Sequence, residues 1–231
     1  MTKLYCDTSN LKDIQNCLRK FKIDGITTNP SIMRNEGVKN YKEHCKKILN
    51  LTKNKPLSVE VFADKDNEII NQAQSISKWS KFIYVKVPVI NTKGKFLKKV
   101  IKNLNNSNIK LNITAIFTLR QLLNIKKVIN KKTPVIISIF CGRIADSGID
   151  PEPIMKNAKK LFKKYNNVKI LWASVREVYN FYQAKRCKCD IITIPPTFIK
   201  KIKSKKHNLE NYSKITVKQF FDDGKKSNFK L

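Results

Sequence analysis

From Lys3 to Pro195 the chain alternates short apolar, β-branched runs with runs of helical periodicity, eight times over. No other feature narrows the fold as much, because strands separated by helices must lie parallel and be covered by those helices. The spacing predicts strands over Lys3–Thr8, Ile23–Thr28, Leu57–Phe62, Phe82–Val89, Lys110–Phe117, Val135–Phe140, Val168–Ala173 and Asp190–Pro195. Between them it predicts helices over Asn10–Phe21 (capped by Ser9), Tyr41–Thr52, Asp64–Trp79, Lys95–Leu104, Leu119–Ile129 and Ile154–Tyr165, and one ending near Ala184. Cys141–Pro153 reads as a loop. Eight β/α units with short connections predict an α/β protein, a closed (β/α)8 TIM barrel in a single domain over residues 1–231. An open doubly wound sheet is the other solution. It lacks its usual glycine-rich phosphate loop here, since the whole chain has six glycines.

Composition excludes several classes. A hydrophobic fraction of 41% supports a real core, and no apolar window of about 18 residues exists to span a membrane. The N-terminus runs directly into strand-like sequence, so no signal peptide is expected. The net charge of +31 invites a nucleic-acid reading. However, 42 of the 48 basic residues are lysines scattered over every helical segment, whereas base and phosphate forks favour arginine. No specific nucleic-acid partner is expected. The six cysteines form no disulfide framework in a chain this long, and Cys187-Lys188-Cys189 lacks a partner pair for zinc, with two histidines in all. Reduced thiols in a cytoplasm, no metal and no cofactor are the expectation.

Polar residues inside the strands carry the chemistry. Period-2 alternation puts Tyr84, Lys86 and Pro88 on one face of the fourth strand, opposite Ile83, Val85, Val87 and Val89. It groups Ser58, Glu60 and Phe62 on the third, Asn112 and Thr114 (opposite Ile113 and Ala115) on the fifth, Ile136, Ser138 and Phe140 on the sixth, and Trp172 and Ser174 on the seventh. Asp7 and Asn29 close the first two. Each alone could be a satisfied buried polar group; together they converge on a barrel mouth, where such folds keep their active sites. A lysine in an apolar interior loses preference for its charged form, so the pKa of Lys86 is expected to fall and its amine to become a nucleophile toward carbonyls. Asp7 and Glu60 could divide acid and base roles. Arg143 and Arg176, two of only six arginines, follow the sixth and seventh strands and suggest an anion fork for a substrate phosphate; surface salt bridges are the plainer alternative.

Asp7-Thr8, Gly25-Ile-Thr-Thr-Asn-Pro-Ser31, Val85-Lys-Val-Pro88, Asn112-Ile-Thr114, Ser138-Ile-Phe-Cys-Gly-Arg143 and Ala173-Ser-Val-Arg176 resemble, in order, the motifs of the transaldolases. The similarity is greatest to the compact subfamily that also contains fructose-6-phosphate aldolase. The resemblance implies a metal-independent, cofactor-free class I mechanism. Lys86 would form a Schiff base with the ketose carbonyl, Glu60 would shuttle protons through a water held with Thr114, and Asp7 would take the C4 hydroxyl proton. Asn29, Asn112 and Ser138 would bind hydroxyls, and Arg143, Ser174 and Arg176 the phosphate. The substrates implied are phosphorylated sugars of the pentose phosphate pathway. A dihydroxyacetone unit would pass from sedoheptulose 7-phosphate or fructose 6-phosphate to glyceraldehyde 3-phosphate or erythrose 4-phosphate.

Glu60, Ser138 and Phe140 stand where the aldolase branch resembles Gln, Ala and Tyr, which favours transfer over cleavage. Fructose-6-phosphate aldolase-like cleavage is the enzymatic alternative, and a basic nucleic-acid-associated protein the non-enzymatic one. Departures from the family pattern are Cys6, Ile139, Cys141 and the Cys187/Cys189 pair, none of which removes a chemical role. The helical, lysine-rich tail over 200–231 resembles the segment that packs on a neighbouring subunit in pentamers and decamers of the compact subfamily; covering its own barrel is the alternative.

Overall fold

The computed structural model describes residues 1–53, 55–203, 208–227 and 229. In chain order the elements are β1 (Lys3–Asp7), α1 (Leu11–Lys20), β2 (Gly25–Thr27), α2 (Pro30–Asn35), α3 (Tyr41–Thr52), β3 (Leu57–Glu60), α4 (Asp66–Ser77) and β4 (Ile83–Pro88). There follow α5 (Lys98–Asn106), β5 (Leu111–Ile116), α6 (Leu119–Lys126), β6 (Val135–Ile139), α7 (Cys141–Asp146), α8 (Glu152–Leu161) and β7 (Val168–Trp172). The chain closes with α9 (Tyr179–Arg186), β8 (Ile191–Ile194), α10 (Pro196–Lys203) and α11 (Leu209–Lys226). The eight strands form a closed barrel in sequence order, each parallel to the next, with β8 pairing back onto β1. This is the expected (β/α)8 architecture.

Two apolar layers hold it. Between strands and helices lies a large cluster that includes Val85, Val87 and Val89 of β4 and its flank, Ile113 of β5 and Ile137 of β6. Inside the barrel, Tyr5, Ile136, Leu171, Ala173 and Ile191 pack together with Tyr84 and Phe140. The strands are thus apolar on their outer face and mixed on their inner one, as parallel strands covered by helices require. Gly25 makes room for this inner layer, because a Cβ there would lie 2.5 Å from the Tyr5 ring.

Register sets the site. Glu60 pairs with Lys86, Lys86 with Asn112 and Pro88 with Thr114, so three adjacent strands present their polar residues at one height. Asp7 pairs with Thr27 in the same way.

Several local expectations are corrected. The cap of α1 is Asn10, whose side chain accepts from Asp13 N at 2.9 Å, and not Ser9. The expected loop at Cys141 begins as helix α7 directly after β6, with Ile144 N donating to Phe140 O. On β7 the inner face belongs to Leu171 and Ala173, while Trp172 is buried on the helix side. On β5 the ladder shifts register between Ile113 and Ile116, and Ala115 adopts φ +57. This bulge turns Ala115 into the mouth and Ile116 back into the core.

Parts of the expected tail, residues 204–207, 228, 230 and 231, lie outside the described residues. Helix α11 buries none of its side chains. No described helix is long and apolar enough to cross a membrane.

Candidate active site

A cavity of about 580 Å³ opens at the C-terminal ends of the strands. Its floor is Lys86, only 6% exposed, on the inner face of β4. A cation this deep must be paired, and it is: Nζ lies 2.9 Å from Glu60 Oε2 and donates to Thr28 O at 2.9 Å. The environment expected to be apolar therefore contains a carboxylate and a carbonyl. The end of β3 is held from outside, where Tyr41 of α3 donates its hydroxyl to Glu60 O at 2.9 Å.

Asp7 faces the same cavity from β1. Burial pushes its carboxyl above the usual aspartate range; the Thr27 hydrogen bond and the Lys86 charge pull it back down, and Glu60 adds to the rise. Asn112 and Ser138 are both buried and bonded to each other, with Ser138 Oγ donating to Asn112 Oδ1 at 2.6 Å. Asn112 Nδ2 in turn donates to Ser58 Oγ at 3.0 Å. Thr114 Oγ1 is buried in the cavity wall and has no protein partner. A buried hydroxyl in that position has a hydrogen bond to give to a water or a substrate.

Asn29 also lines the cavity, and its Oδ1 caps α2 by accepting from Ile32 N at 2.9 Å. The rim is cationic. The Arg143 guanidinium sits 5.5 Å from the Phe140 ring, which Phe117 buttresses at 5.6 Å. Arg176 Nε pairs with Asp146 Oδ2 at 2.9 Å, and Ser174, at φ +62, lines the cavity with both arginines. Gly142 is required here, since a methyl group would overlap the Ser174 carbonyl oxygen. Lys86, Asp7, Glu60, Thr114, Asn29, Asn112, Ser138, Phe140, Arg143, Ser174 and Arg176 thus all line one cavity. Phe62 does not join them; it is exposed and packs edge-on against Tyr41.

Three contributors were missed, and Ser58, already grouped with Glu60 on the third strand, was given no role. Thr27 and Thr193 connect β2 and β8 to Asp7, Ser58 supports Asn112, and Asp146 holds Arg176. Alternation counted from Asn29 would have reached Thr27, and Thr193 is the one polar residue in an isoleucine run.

The arrangement combines an amine that can add to a carbonyl, two carboxylates that can move protons, hydroxyl-binding groups and an anion-binding rim. Closed barrel and polar mouth together define a (β/α)8-barrel enzyme with a lysine at its centre. More specifically, the chain belongs to the transaldolase/fructose-6-phosphate aldolase family, whose model matches residues 4–230. It is 33% identical over 201 residues to a protein of Lactiplantibacillus plantarum named "probable transaldolase", covering 87% of this chain and 88% of that one. A protein of the same name from Caldicellulosiruptor saccharolyticus is 30% identical over 226 residues, 97% of each. Among solved structures, 3-hexulose-6-phosphate synthase from Salmonella typhimurium superposes with a TM-score of 0.56 at 12% identity, covering 84% of this chain and 89% of that one. Thiamine phosphate pyrophosphorylase from Pyrococcus furiosus gives 0.55 at 11%, covering 84% and 85%. These two show the shared fold alone.

Proposed function

We propose that this protein is a transaldolase that moves a dihydroxyacetone unit between phosphorylated sugars through a Schiff base on Lys86. The observation that carries the reading is the Lys86–Glu60 contact of 2.9 Å beside the unpartnered Thr114 hydroxyl. In this reading Glu60 takes a proton from the ammonium, and the free amine adds to the C2 carbonyl of the ketose. A water bridging Glu60 and Thr114 relays the proton held by Glu60 to the carbinolamine hydroxyl, which leaves as water while the nitrogen lone pair forms the iminium. Asp7 removes the C4 hydroxyl proton; the C3–C4 bond breaks, its electron pair enters the iminium, and an aldose leaves. Addition of the remaining enamine to the carbonyl carbon of an acceptor aldose, followed by hydrolysis, completes transfer. Asn29, Asn112 and Ser138 orient the hydroxyls of the three-carbon unit, and Arg143, Ser174 and Arg176 hold the phosphate.

Phe140 supports transfer over cleavage. Its ring is engaged by Phe117 and Arg143 and offers no hydroxyl to help water protonate the enamine. The donors proposed are sedoheptulose 7-phosphate and fructose 6-phosphate, the acceptors glyceraldehyde 3-phosphate and erythrose 4-phosphate, in the cytoplasm. All six cysteines are free and buried, in keeping with a thiol-reducing compartment. The test is product analysis from fructose 6-phosphate with and without erythrose 4-phosphate. With erythrose 4-phosphate as acceptor, sedoheptulose 7-phosphate and glyceraldehyde 3-phosphate should form together, with little free dihydroxyacetone. Release of dihydroxyacetone at an equal or greater rate without acceptor would overturn the assignment in favour of an aldolase.

A further inference from the structure

The barrel has a second opening that the proposed chemistry does not use. At the N-terminal ends of the strands lies a cavity of about 600 Å³, as large as the catalytic mouth. The inner layer of Tyr5, Ile136, Leu171 and Ile191 separates the two. Volumes of this order are typical of small-molecule sites.

Its lining is chemically distinctive. Four lysines border it: Lys3 from β1, Lys169 from β7, and Lys185 and Lys188 from the end of α9 and the turn after it. The one acid in the wall, Asp190, is already engaged, with Oδ1 2.7 Å from Lys159 Nζ and Oδ2 accepting from Ile170 N at 2.8 Å. None of the four bordering lysines has a carboxylate partner among the described residues. The catalytic mouth, by contrast, sets Lys86, Arg143 and Arg176 against Asp7 and Glu60. The anion-attracting field is therefore less compensated at the N-terminal end of the barrel than at the catalytic end.

Backbone geometry adds a second argument. Lys188 follows the C-terminus of α9 with φ +53, where Lys188 N donates to Lys185 O and Cys189 N to Ala184 O. That turn position favours glycine or asparagine. The left-handed helix end sets Lys188 at the border of the cavity, on the same rim as Lys185. The floor supplies the rest. Tyr5 is nearly buried and locked by Gly25, and Tyr84 carries Lys110 5.9 Å over its ring, so two phenols form a rigid amphipathic base.

We propose that this opening is a binding site for a small polyphosphorylated molecule, whose phosphates meet Lys3, Lys169, Lys185 and Lys188 and whose body rests on Tyr5 and Tyr84. The site is separate from the catalytic mouth and does not depend on the transaldolase reading. Calorimetric titration of the full chain with inorganic triphosphate tests it. One triphosphate should bind per chain, about tenfold more weakly in the Lys169→Gln/Lys188→Gln variant. Affinity should stay within about twofold in Arg143→Ala/Arg176→Ala and in the exposed control pair Lys98→Gln/Lys99→Gln. Weakening confined to the arginine variant would place the anion at the mouth. Equal weakening in the control pair would reduce the effect to the diffuse charge of the chain. No binding of triphosphate, or an oligonucleotide that triphosphate fails to displace, would each overturn the proposal.

Discussion

Thr27 Oγ1 donates a hydrogen bond of 2.6 Å to Asp7 Oδ1 and lies 2.5 Å from Thr193 Oγ1. A hydroxyl has one proton to give, so with Thr27 donating to the carboxylate, Thr193 donates to Thr27. The chain of hydroxyls crosses β8, β2 and β1 and ends on the carboxylate assigned to proton removal. Its donor lowers the Asp7 pKa against the larger effect of burial. The net position is above the ordinary aspartate value. Stability contributed by this group is therefore present at low pH and is lost as pH rises through the raised value.

Activity has the opposite requirement, since the base must be ionised. The acidic limb of kcat/KM should lie above the ordinary carboxylate range. Thr27→Val removes the donor and should move that limb to still higher pH, while costing about 1–3 kcal/mol of stability by leaving Asp7 and Thr193 unpaired. A pH–rate profile of the variant checks the direction; an unmoved or lowered limb counts against Asp7 as the base.

Thr114→Val separates catalysis from stability at one position. Its hydroxyl bonds to no protein group, so the near-isosteric valine should leave thermal stability within about 0.5 kcal/mol or raise it. Formation of the Schiff base should slow on the order of a hundredfold, the effect of losing a positioned proton carrier. Rapid-mixing measurement of Schiff-base formation reads this directly. Unchanged kinetics would remove Thr114 from the mechanism.

Helix α11 exposes Leu209, Tyr212, Ile215, Val217, Phe220 and Phe221 and buries none of its own side chains. We infer that this apolar surface packs on a neighbouring copy in a pentamer or decamer. Sedimentation of the wild type should show such a homo-oligomer. Phe220→Glu/Phe221→Glu should sediment as a smaller species that still unfolds in one transition, because the substitutions fall on exposed side chains outside the core clusters. A monomeric wild type would contradict the assembly.

Much of this architecture was legible in the sequence, for a definite reason. In β4 the aliphatics Ile83, Val85 and Val87 alternate with Tyr84, Lys86 and Pro88, so polarity alone sorts the two faces. Where polarity is missing, alternation is mute. Leu171, Trp172 and Ala173 are apolar on both sides, and the inner face of β7 was misread by one residue. Ser174 still reaches the mouth because its positive φ turns the chain after the strand. The bulge at Ala115 depends on the neighbouring ladder and leaves no local sign. Thr27 and Thr193 look like ordinary β-branched strand residues until the barrel closes and brings β8 and β2 to either side of β1. Asp146 lay in sequence read as loop, which concealed that α7 carries it toward Arg176.

The central claim is that Lys86 is the amine that carries the three-carbon unit. Borohydride reduction of the full-length enzyme with fructose 6-phosphate, followed by peptide mass spectrometry, tests it most directly. A reduced three-carbon adduct on Lys86 alone, absent from Lys86→Met, is the predicted result. An adduct on another lysine, or one that persists in Lys86→Met, would contradict it.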